Sequence, residues 1–563
     1  MSAEHLQIQE ASQTNEKKTV SVTSNSNPNT TPHDADTPKI RSTLTSCLLV
    51  LTTSFAMILN TANSTAVAIA LPTIGRDLNI TEAKLQWLVS AYSLSAGCLL
   101  LFLGRVADLY GRKKVFLLGI LIQGAFGLGC SFAQDEITID VLRGLQGVGG
   151  AAVVPAGLGI LAHAFPPSPA RAIAFSTFAA GAPVGAAIGS VIGGILTQLT
   201  SQSWRSTFYL LTGISALVFI GGLFSMDKDV IDKTMDRRLD WIGALLVTAG
   251  LVFIVFVLSD GSIAENGWAT SYIIALLVLG VLLVVAFLAW QYYLEKVHDG
   301  PDDASKQSIW TPPPLMKLSI WTRAKGQLAV MLFIGFLEWC SFFAFTFWIQ
   351  LYYQDYLQLS PIETMLRLLP MAITGVICNV LVALFVGRVS FVIIIVIGTL
   401  FTGVADLLFA VINVKATYWA FGFPAAILSV FGADFVMAAG SLFVAKVALL
   451  HEQSVAGALL QTMMQLGGAF GLAITTIIFN STLTHQTAKL TPSGSPLHAQ
   501  ELAYKAAMWG GFAFGAFGAI LAALFLRGVG IVGHRGPPKS QTPTLNGDEG
   551  LEGRKSKESD VTV

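Results

Sequence analysis

Long apolar stretches separated by short polar segments run through most of the chain. Fourteen of them are long enough to cross a bilayer, which takes about 20 apolar residues in a helix. They lack the alternation of barrel strands, so each is predicted to be a helix. The predicted spans cover residues 45–70, 83–103, 115–133, 139–161, 171–198, 207–225, 240–258, 270–291, 327–349, 363–386, 390–411, 417–445, 454–480 and 506–526. The pattern therefore predicts an all-α membrane protein.

The composition agrees with this interpretation and excludes several classes of function. Of the 563 residues, 53% are hydrophobic and 12% are charged, whereas soluble domains carry about 25% charged residues. The formal net charge of zero argues against a nucleic-acid partner. The five cysteines have no paired spacing and no histidine lies deep in a span, so no disulfide framework, metal site or cofactor is predicted.

The positions of Lys and Arg predict the side of the membrane that each loop faces. With the N-terminus inside, 26 of the 34 basic residues fall in cytoplasmic segments and 6 in outer ones. Cytoplasmic loops carry the excess of positive charge, so both termini are predicted to be cytoplasmic. Residues 1–43 and 528–563 are polar and are predicted to be disordered tails, and the first has no apolar segment typical of a cleavable signal.

A short repeat divides the spans into two sets of six. Gly-Arg-Val occurs at 104–106 and again at 387–389, and each copy stands where a span ends at the predicted cytoplasmic side. Two six-helix halves around a site near the middle of the membrane are a known transporter design. The predicted domains are a tail (1–43), a six-helix bundle (44–226), two inserted helices (227–292), a cytoplasmic loop (293–326), a second six-helix bundle (327–527) and a tail (528–563).

The stretch GRVADLYGRKK, residues 104–114, occupies the predicted loop between spans 2 and 3. Its glycines permit a tight turn, its acid can face a helix N-terminus and its basic residues anchor the cytoplasmic side. It resembles the loop signature of the major facilitator superfamily, which Gly104, Asp108, Gly111, Arg112 and Lys113 match. The resemblance implies two six-helix bundles and a cytoplasmic gate in which the acid and the arginine hold the halves together and release them.

Arg143 and Gln146 stand inside span 4, in RGLQGVGGAAVVP, which resembles a second signature of that superfamily. Ionised groups inside a membrane are costly, and they usually face a cavity or a partner. The resemblance implies that Arg143 takes part in proton coupling. The alternative is that its side chain extends to the nearby outer interface.

Glycine recurs at every fourth position of span 5, in GAPVGAAIGSVIGG. A glycine inside a soluble helix costs roughly 1 kcal/mol against alanine, but in lipid this spacing lets another helix approach closely. The stretch resembles the antiporter signature of exporters in the superfamily, with serine at positions 176 and 190 in place of its first Gly and its Pro. The predicted packing residues are Gly181, Gly185, Gly189, Gly193 and Gly194.

NSTAVAIALPTIGRDL, residues 63–78, resembles the span-1 signature of fourteen-span drug:proton antiporters. That signature usually begins with Asp, and this chain has Asn63, which cannot titrate. The closest resemblance is to fungal transporters of the aminotriazole- and boron-resistance type, to which FLEWCSFFAFTFWIQLYYQ (336–354) and LSVFGADF (428–435) are similar.

Acids inside spans are the candidates for a proton site, because a buried carboxyl can exchange a proton near neutral pH. Glu338, near the middle of span 9, is the first candidate and Asp434 the second; Asp406 is a further intramembrane acid. The alternative for each is a structural hydrogen bond between helices. Candidate lining residues are the aromatic Trp339 and Phe342 and the polar Asn60, Asn63, Gln146, Gln461 and Gln465.

These features predict a secondary transporter that exports a small organic compound, such as a toxin or a secondary metabolite, in exchange for protons. The alternative is a facilitator or importer of a small polar solute such as ammonium or borate. No catalytic cluster indicates an enzyme. We expect a monomer in the plasma membrane, with the vacuolar membrane as the alternative. Asn480 begins a glycosylation sequon on the predicted outer side.

Overall fold

The computed structural model describes residues 42–531 except 166–168, 230–235, 237, 262–263, 300–307, 309, 386–387, 449–452 and 490–495. The predicted tails therefore lie almost entirely outside the described residues. The chain divides into two units, Met1–Ser46 and Cys47–Val563, and every contact discussed below lies within the second.

Within the described residues, fourteen helices are long and apolar enough to cross a membrane, which confirms the predicted fold class. The helices are α1 Thr43–Leu78, α2 Glu82–Tyr110, α3 Arg112–Ser131, α4 Glu136–Ala164, α5 Pro169–Leu199, α6 Trp204–Ser225, α7 Trp241–Asp260, α8 Ser271–Asp299, α9 Gln327–Leu351, α10 Pro361–Phe385, α11 Phe391–Ala410, α12 Tyr418–Val447, α13 Gln453–Ala488 and α14 Pro496–Phe525.

Several helices extend beyond the predicted spans, because hydropathy marks the part of a helix in lipid while backbone hydrogen bonding continues into polar ends. α1 runs on to Leu78 and α14 already begins at Pro496. The predicted loop between spans 2 and 3 is wrong. α2 and α3 are separated by Gly111 alone, whose φ of 116° is a backbone conformation that favours glycine.

The two sets of six helices repeat one close contact at corresponding positions. A Cβ on Gly119 of α3 would lie 2.9 Å from the carbonyl oxygen of Gly149 on α4. The offset that carries Gly104 onto Gly387 carries this pair onto Thr402 of α11 and Gly432 of α12. A Cβ on Gly432 would lie 2.5 Å from the Thr402 hydroxyl oxygen. The sequence repeat thus coincides with a repeated helix-helix contact.

The two halves share a core at the predicted outer end. One buried cluster contains residues of both halves there, among them Ile69, Trp204, Tyr352 and Tyr504. The Gln354 side-chain amide also donates to the carbonyl of Ile69 across this junction, over 2.8 Å. Toward the other end most buried members divide into one cluster from residues 49–226 and another from residues 287–526, and a small cluster of five buried residues still joins α2 to α13. The halves are therefore joined most extensively at the outer end.

The inserted helices α7 and α8 pack on each other and on the side of the bundle. α7 also contacts α2 and α13, one helix from each half. The buried carboxylate of Asp240 joins the start of α7 to the end of α8. It accepts hydrogen bonds from the Gly243 amide at 2.7 Å, the Trp290 indole at 2.8 Å and the Gln291 amide at 2.5 Å.

Candidate functional site

Arg143 on α4 is fully buried and does not extend to the outer interface. Its Nε donates to the carbonyl of Leu88 on α2 over 2.9 Å, and its Nη1 donates to Gln146 Oε1 over 2.6 Å. The guanidinium lies 4.8 Å from the centre of the Tyr92 ring. Within the described residues no carboxylate forms an ion pair with it, and its Nη2 has no hydrogen-bond partner. Its hydrogen-bond partners are thus neutral, and the carboxylate of Asp140, one turn earlier on α4, interacts with it electrostatically.

The neighbours of Arg143 form a polar network that links α1 to α4. Gln146 donates to Asn63 Oδ1 over 3.0 Å and to the carbonyl of Gln123 over 3.3 Å. The Tyr92 hydroxyl donates to Asn60 Oδ1 and accepts from the Gln123 side-chain amide over 3.3 Å. The structure therefore brings together four of the predicted residues, Asn60, Asn63, Arg143 and Gln146, and adds Tyr92 and Gln123.

Glu338 on α9 is also fully buried, in the second half. Both of its carboxylate oxygens lack a hydrogen-bond partner within the described residues. The carboxylate lies against α12, because a Cβ on Gly432 would be 2.1 Å from Oε1. The nearby Thr402 hydroxyl is already engaged: it donates to the carbonyl of Ser429 and accepts from the Gly432 amide. Glu338 is the buried acid with the fewest compensating contacts.

Asp406 of α11 lies one helical turn beyond Glu338 in the same interface. Its Oδ2 accepts a 2.7 Å hydrogen bond from the hydroxyl of Ser341, which follows Glu338 by three residues on α9. Its Oδ1 has no partner and lies against α14, where a Cβ on Gly511 would be 2.4 Å away. Side chains three and four residues apart share a helix face, so α9 and α11 hold two buried carboxyl groups close together.

Asp434 does not join this pair. It follows Gly432 by two residues on α12, and a helix turns about 200° over two residues, so its side chain leaves the opposite face. Its Oδ1 accepts from the Asn379 side chain of α10 at 3.3 Å. A Cβ on Gly375 would lie 3.4 Å from Asp434 Oδ2 and equally far from Pro183 of α5. Asp434 therefore lies where the two halves meet.

The other predicted lining residues lie at varied positions. Gln465 lies against α2, because a Cβ placed on Gly97 would be 3.0 Å from the Cβ of Gln465. Gln461 stands one turn earlier on α13 and is half-buried. Trp339 and Phe342 are half-buried, with ring centres 6.3 Å apart. Asn480, the predicted glycosylation residue, is half-buried within α13, and its glycosylation stays a prediction.

The predicted gate residues make their described contacts inside the first half. Arg112 forms an ion pair with Asp108 at 2.8 Å and also donates to the carbonyl of Gly159 on α4. Asp229, just past α6, accepts from the backbone amides of Lys113 and Lys114 and so caps α3. A Cβ on Gly111 would lie 2.3 Å from Asp229 Oδ2. The glycine is therefore required by a neighbour more than a hundred residues away along the chain.

The glycine positions of α5 face α1 in register. A Cβ on Gly181 would lie 3.0 Å from the carbonyl oxygen of Ser54, and one on Gly185 would lie 2.5 Å from that of Ile58. The same construction on Gly189 and Gly193 meets Ala62 and Ala66 at 2.7 Å. Gly194 instead faces α10, where Met365 Cβ would be 3.0 Å away. Each fourth residue of α5 thus meets each fourth residue of α1, backbone against backbone.

Sequence reasoning missed the partners of these groups more often than the groups themselves. Gln123 and Ser341 carried a usable signal, because one is an amide inside an apolar span and the other stands one turn from Glu338. The carbonyl of Leu88 and the carboxylate of Asp229 carried none.

The sequence of this chain is similar to one protein family and to individual members of known function or name. A family profile described as Major Facilitator Superfamily matches residues 53–234 and 233–472. MFS-type transporter 1 of Pyricularia oryzae is 27% identical over 541 residues, covering 87% of this chain and 85% of that protein. The puromycin resistance protein of Streptomyces alboniger is 32% identical over 424 residues, covering 74% and 79%.

Two further similarities are to a relative whose name states a different function and to a solved structure. The low affinity ammonium transporter of Saccharomyces cerevisiae is 27% identical over 412 residues, covering 71% of this chain and 75% of that protein. A bacterial homolog of the human lysosomal transporter Spinster has a TM-score of 0.57 at 14% identity, covering 86% of this chain and 97% of that one. The second similarity is one of fold.

Proposed function

This chain belongs to the major facilitator superfamily, and from that premise we propose that it exports a small organic compound in exchange for protons. Membership makes it a multi-pass membrane transporter of a small molecule and not an enzyme. Proton coupling, outward direction and the chemical nature of the cargo are parts of the proposal.

The burial of Glu338 without a hydrogen-bond partner is the observation that supports proton coupling. An ionised carboxylate buried without a partner costs several kcal/mol, and uptake of a proton removes that charge. A group in this position is therefore sensitive to whether the surrounding helices admit water. Asp406 lies next to it and gives the proton a second acceptor. Arg143 lies in the other half, where its hydrogen-bond partners are neutral, and is the proposed cation of the coupling network.

The arrangement of the cores supports alternating access as the mechanism. The outer ends share one large buried cluster, whereas most buried residues toward the other end form one cluster in each half, with a small cluster between α2 and α13. Rocking of the two halves would separate them at the outer end and bring them into contact at the other end. The α1–α5 contact, backbone against backbone, keeps the first half rigid during such a motion.

Two features favour export over import, and a third favours an organic cargo. The span-5 glycines resemble a signature of exporters, and one relative over 30% identical is a puromycin resistance protein. Trp339 and Phe342 lie next to Glu338 in the chain and offer aromatic surface to an amphipathic cargo. We place the protein in the plasma membrane as a monomer.

The test uses everted vesicles or proteoliposomes with a trapped pH-sensitive dye and puromycin as the probe. Wild-type protein should move protons when puromycin is added, and a proton gradient should drive puromycin movement. Glu338→Gln should abolish the proton movement. The matched control is Glu363→Gln, which neutralises an exposed acid on α10 and should behave like wild type. Unchanged proton movement in Glu338→Gln would remove this residue from the mechanism.

The alternative of a facilitator or importer is favoured by one observation, the similarity to a low affinity ammonium transporter. It predicts uptake of methylammonium that persists when an uncoupler collapses the proton gradient. Uptake of this kind, with no puromycin-dependent proton movement, would support the alternative and overturn the antiport proposal.

A further inference from the structure

A small cavity lies at the predicted outer end of the second half, about four helical turns along the chain from Glu338. Its volume is about 40 Å³, and it is lined by the end of α9, by α10, by the α11–α12 connection and by the start of α12. The chain at the end of α9 forms one turn of π-helix, Tyr352–Tyr356. Such turns are frequent at functional sites, which directs attention to the groups around this one.

The cavity is lined by a cation, Arg367, and the exposed carboxylate of Glu363, one turn earlier on α10, interacts with it electrostatically from outside the cavity. The half-buried guanidinium of Arg367 lies 5.3 Å from the ring centre of Tyr353 and 5.7 Å from that of Tyr418. Within the described residues it forms no ion pair, and none of the residues that line the cavity is acidic. Two aromatic faces hold the guanidinium in place, and its charge is left to act on whatever enters the cavity.

A buried hydroxyl group adds a free donor. The Tyr353 side chain is 2% exposed, and its hydroxyl oxygen has no hydrogen-bond partner within the described residues. The hydroxyl lies at the cavity wall, because a Cβ on Gly422, another lining residue, would be 2.6 Å from it. A buried hydroxyl without a partner is costly, so a ligand that accepts its hydrogen bond would be favoured.

The start of α12 contributes a third favourable feature. Its N-cap residue Thr417 makes no side-chain capping hydrogen bond, and Thr417, Tyr418, Phe421 and Gly422 line the cavity. The N-terminus of a long helix carries a partial positive charge and favours an anion. Thr417 and Asn413 are exposed, which gives access from the outer solution.

We propose that this cavity binds a small monovalent anion between Arg367, the Tyr353 hydroxyl and the first turn of α12. A single water needs roughly 10–15 Å³ of such space, so the cavity admits chloride and excludes an anion as large as gluconate. The site is separate from the proposed proton site and does not depend on the direction of transport.

The experiment measures the melting temperature of the full-length protein in detergent as sodium chloride replaces sodium gluconate at constant sodium concentration and ionic strength. A ligand that binds the folded state stabilises it, so the wild-type temperature should rise with chloride and then saturate. Arg367→Gln should abolish the rise. Tyr353→Phe should weaken the apparent chloride affinity by about tenfold, the usual effect of losing a hydrogen bond to a charged group.

The control variant is Arg388→Gln, which removes an exposed positive charge outside this cavity and should keep the wild-type response. A wild-type temperature that does not depend on chloride would overturn the proposal. So would a wild-type chloride response in Tyr353→Phe, which removes one oxygen atom and therefore remains informative even when Arg367→Gln does not fold.

Discussion

The carboxylate of Glu338 on α9 occupies the space that a side chain at position 432 on α12 would need. The two are so close that a Cβ on Gly432 would lie 2.1 Å from Glu338 Oε1. A glycine here leaves room for a buried acid, and neither oxygen of that acid has a hydrogen-bond partner in the described residues. The absence of a side chain at position 432 of α12 therefore makes room for the Glu338 carboxylate of α9.

Gly432→Ala is expected to displace the Glu338 side chain. Because the added methyl group overlaps the carboxylate, we expect a loss of about 1–3 kcal/mol in the free energy of unfolding, the usual cost of overpacking. Thermal unfolding measures this, and proton movement should fall as well. In a Glu338→Ala background the same change should cost less, because the carboxylate is gone and only the overlap with the Thr402 hydroxyl remains.

The control for that cycle is Gly457→Ala on α13, where an added Cβ would meet no atom of the described residues within 4 Å. This variant should be as stable as wild type or slightly more stable, because alanine is the better helix former. Equal costs of Gly432→Ala in the two backgrounds would show that the carboxylate does not need the space at position 432.

Ser341→Ala is expected to destabilise the protein through Asp406. The serine hydroxyl donates the 2.7 Å hydrogen bond that satisfies Asp406 Oδ2, and both residues are fully buried. An unsatisfied buried acceptor costs about 1–3 kcal/mol, which should appear as a lower melting temperature. Ser441→Ala on α12, where the exposed serine bonds only its own helix, should leave the temperature unchanged. Equal temperatures for the two variants would contradict the role given to Ser341.

The sequence was most informative about features that depend on solvent. Hydropathy located all fourteen helices, because a span in lipid must be apolar along its whole length. Glu338 and Arg143 stood out for the same reason, as charged groups in apolar stretches. What hydropathy could not supply was the rotation of each helix about its axis, so Glu338 and Asp434 were first and second candidates for the same proton site although they lie on different interfaces.

Contacts between distant parts of the chain account for the rest. The junction of α2 and α3 seemed to be a loop, and its single nonhelical residue, Gly111, is fixed by Asp229, which follows the neighbouring helix α6. The partner of Arg143 is a backbone carbonyl, that of Leu88, and any residue at that position would supply it. Such partners depend on helix packing and leave no mark on residue type.

Gly189→Ala is expected to separate α5 from α1. An added Cβ would lie 2.2 Å from the Thr65 hydroxyl and 2.7 Å from the Ala62 Cα, and backbone atoms cannot turn aside. We expect a loss of about 1–3 kcal/mol in stability, checked by thermal unfolding in detergent. Gly213→Ala on α6, where an added Cβ meets nothing within 4 Å, is the matched control. A Gly189→Ala protein as stable as this control would contradict the close contact.

Arg143→Gln is expected to abolish proton-coupled transport with only a small change in stability. Loss of the buried cation removes its desolvation cost, but it also leaves the Leu88 carbonyl and Gln146 without their donor, so the two effects oppose each other in the melting temperature. Arg143→Lys keeps the charge, but an ammonium lacks the planar fork that reaches both the Leu88 carbonyl and Gln146, so its transport should also be reduced. The measurements are puromycin-dependent proton movement and thermal unfolding of both variants. Loss of a structural residue lowers the melting temperature, whereas loss of a coupling residue lowers proton movement. A large loss of stability in Arg143→Gln, with transport kept per folded molecule, would therefore show that Arg143 serves the fold and not the coupling.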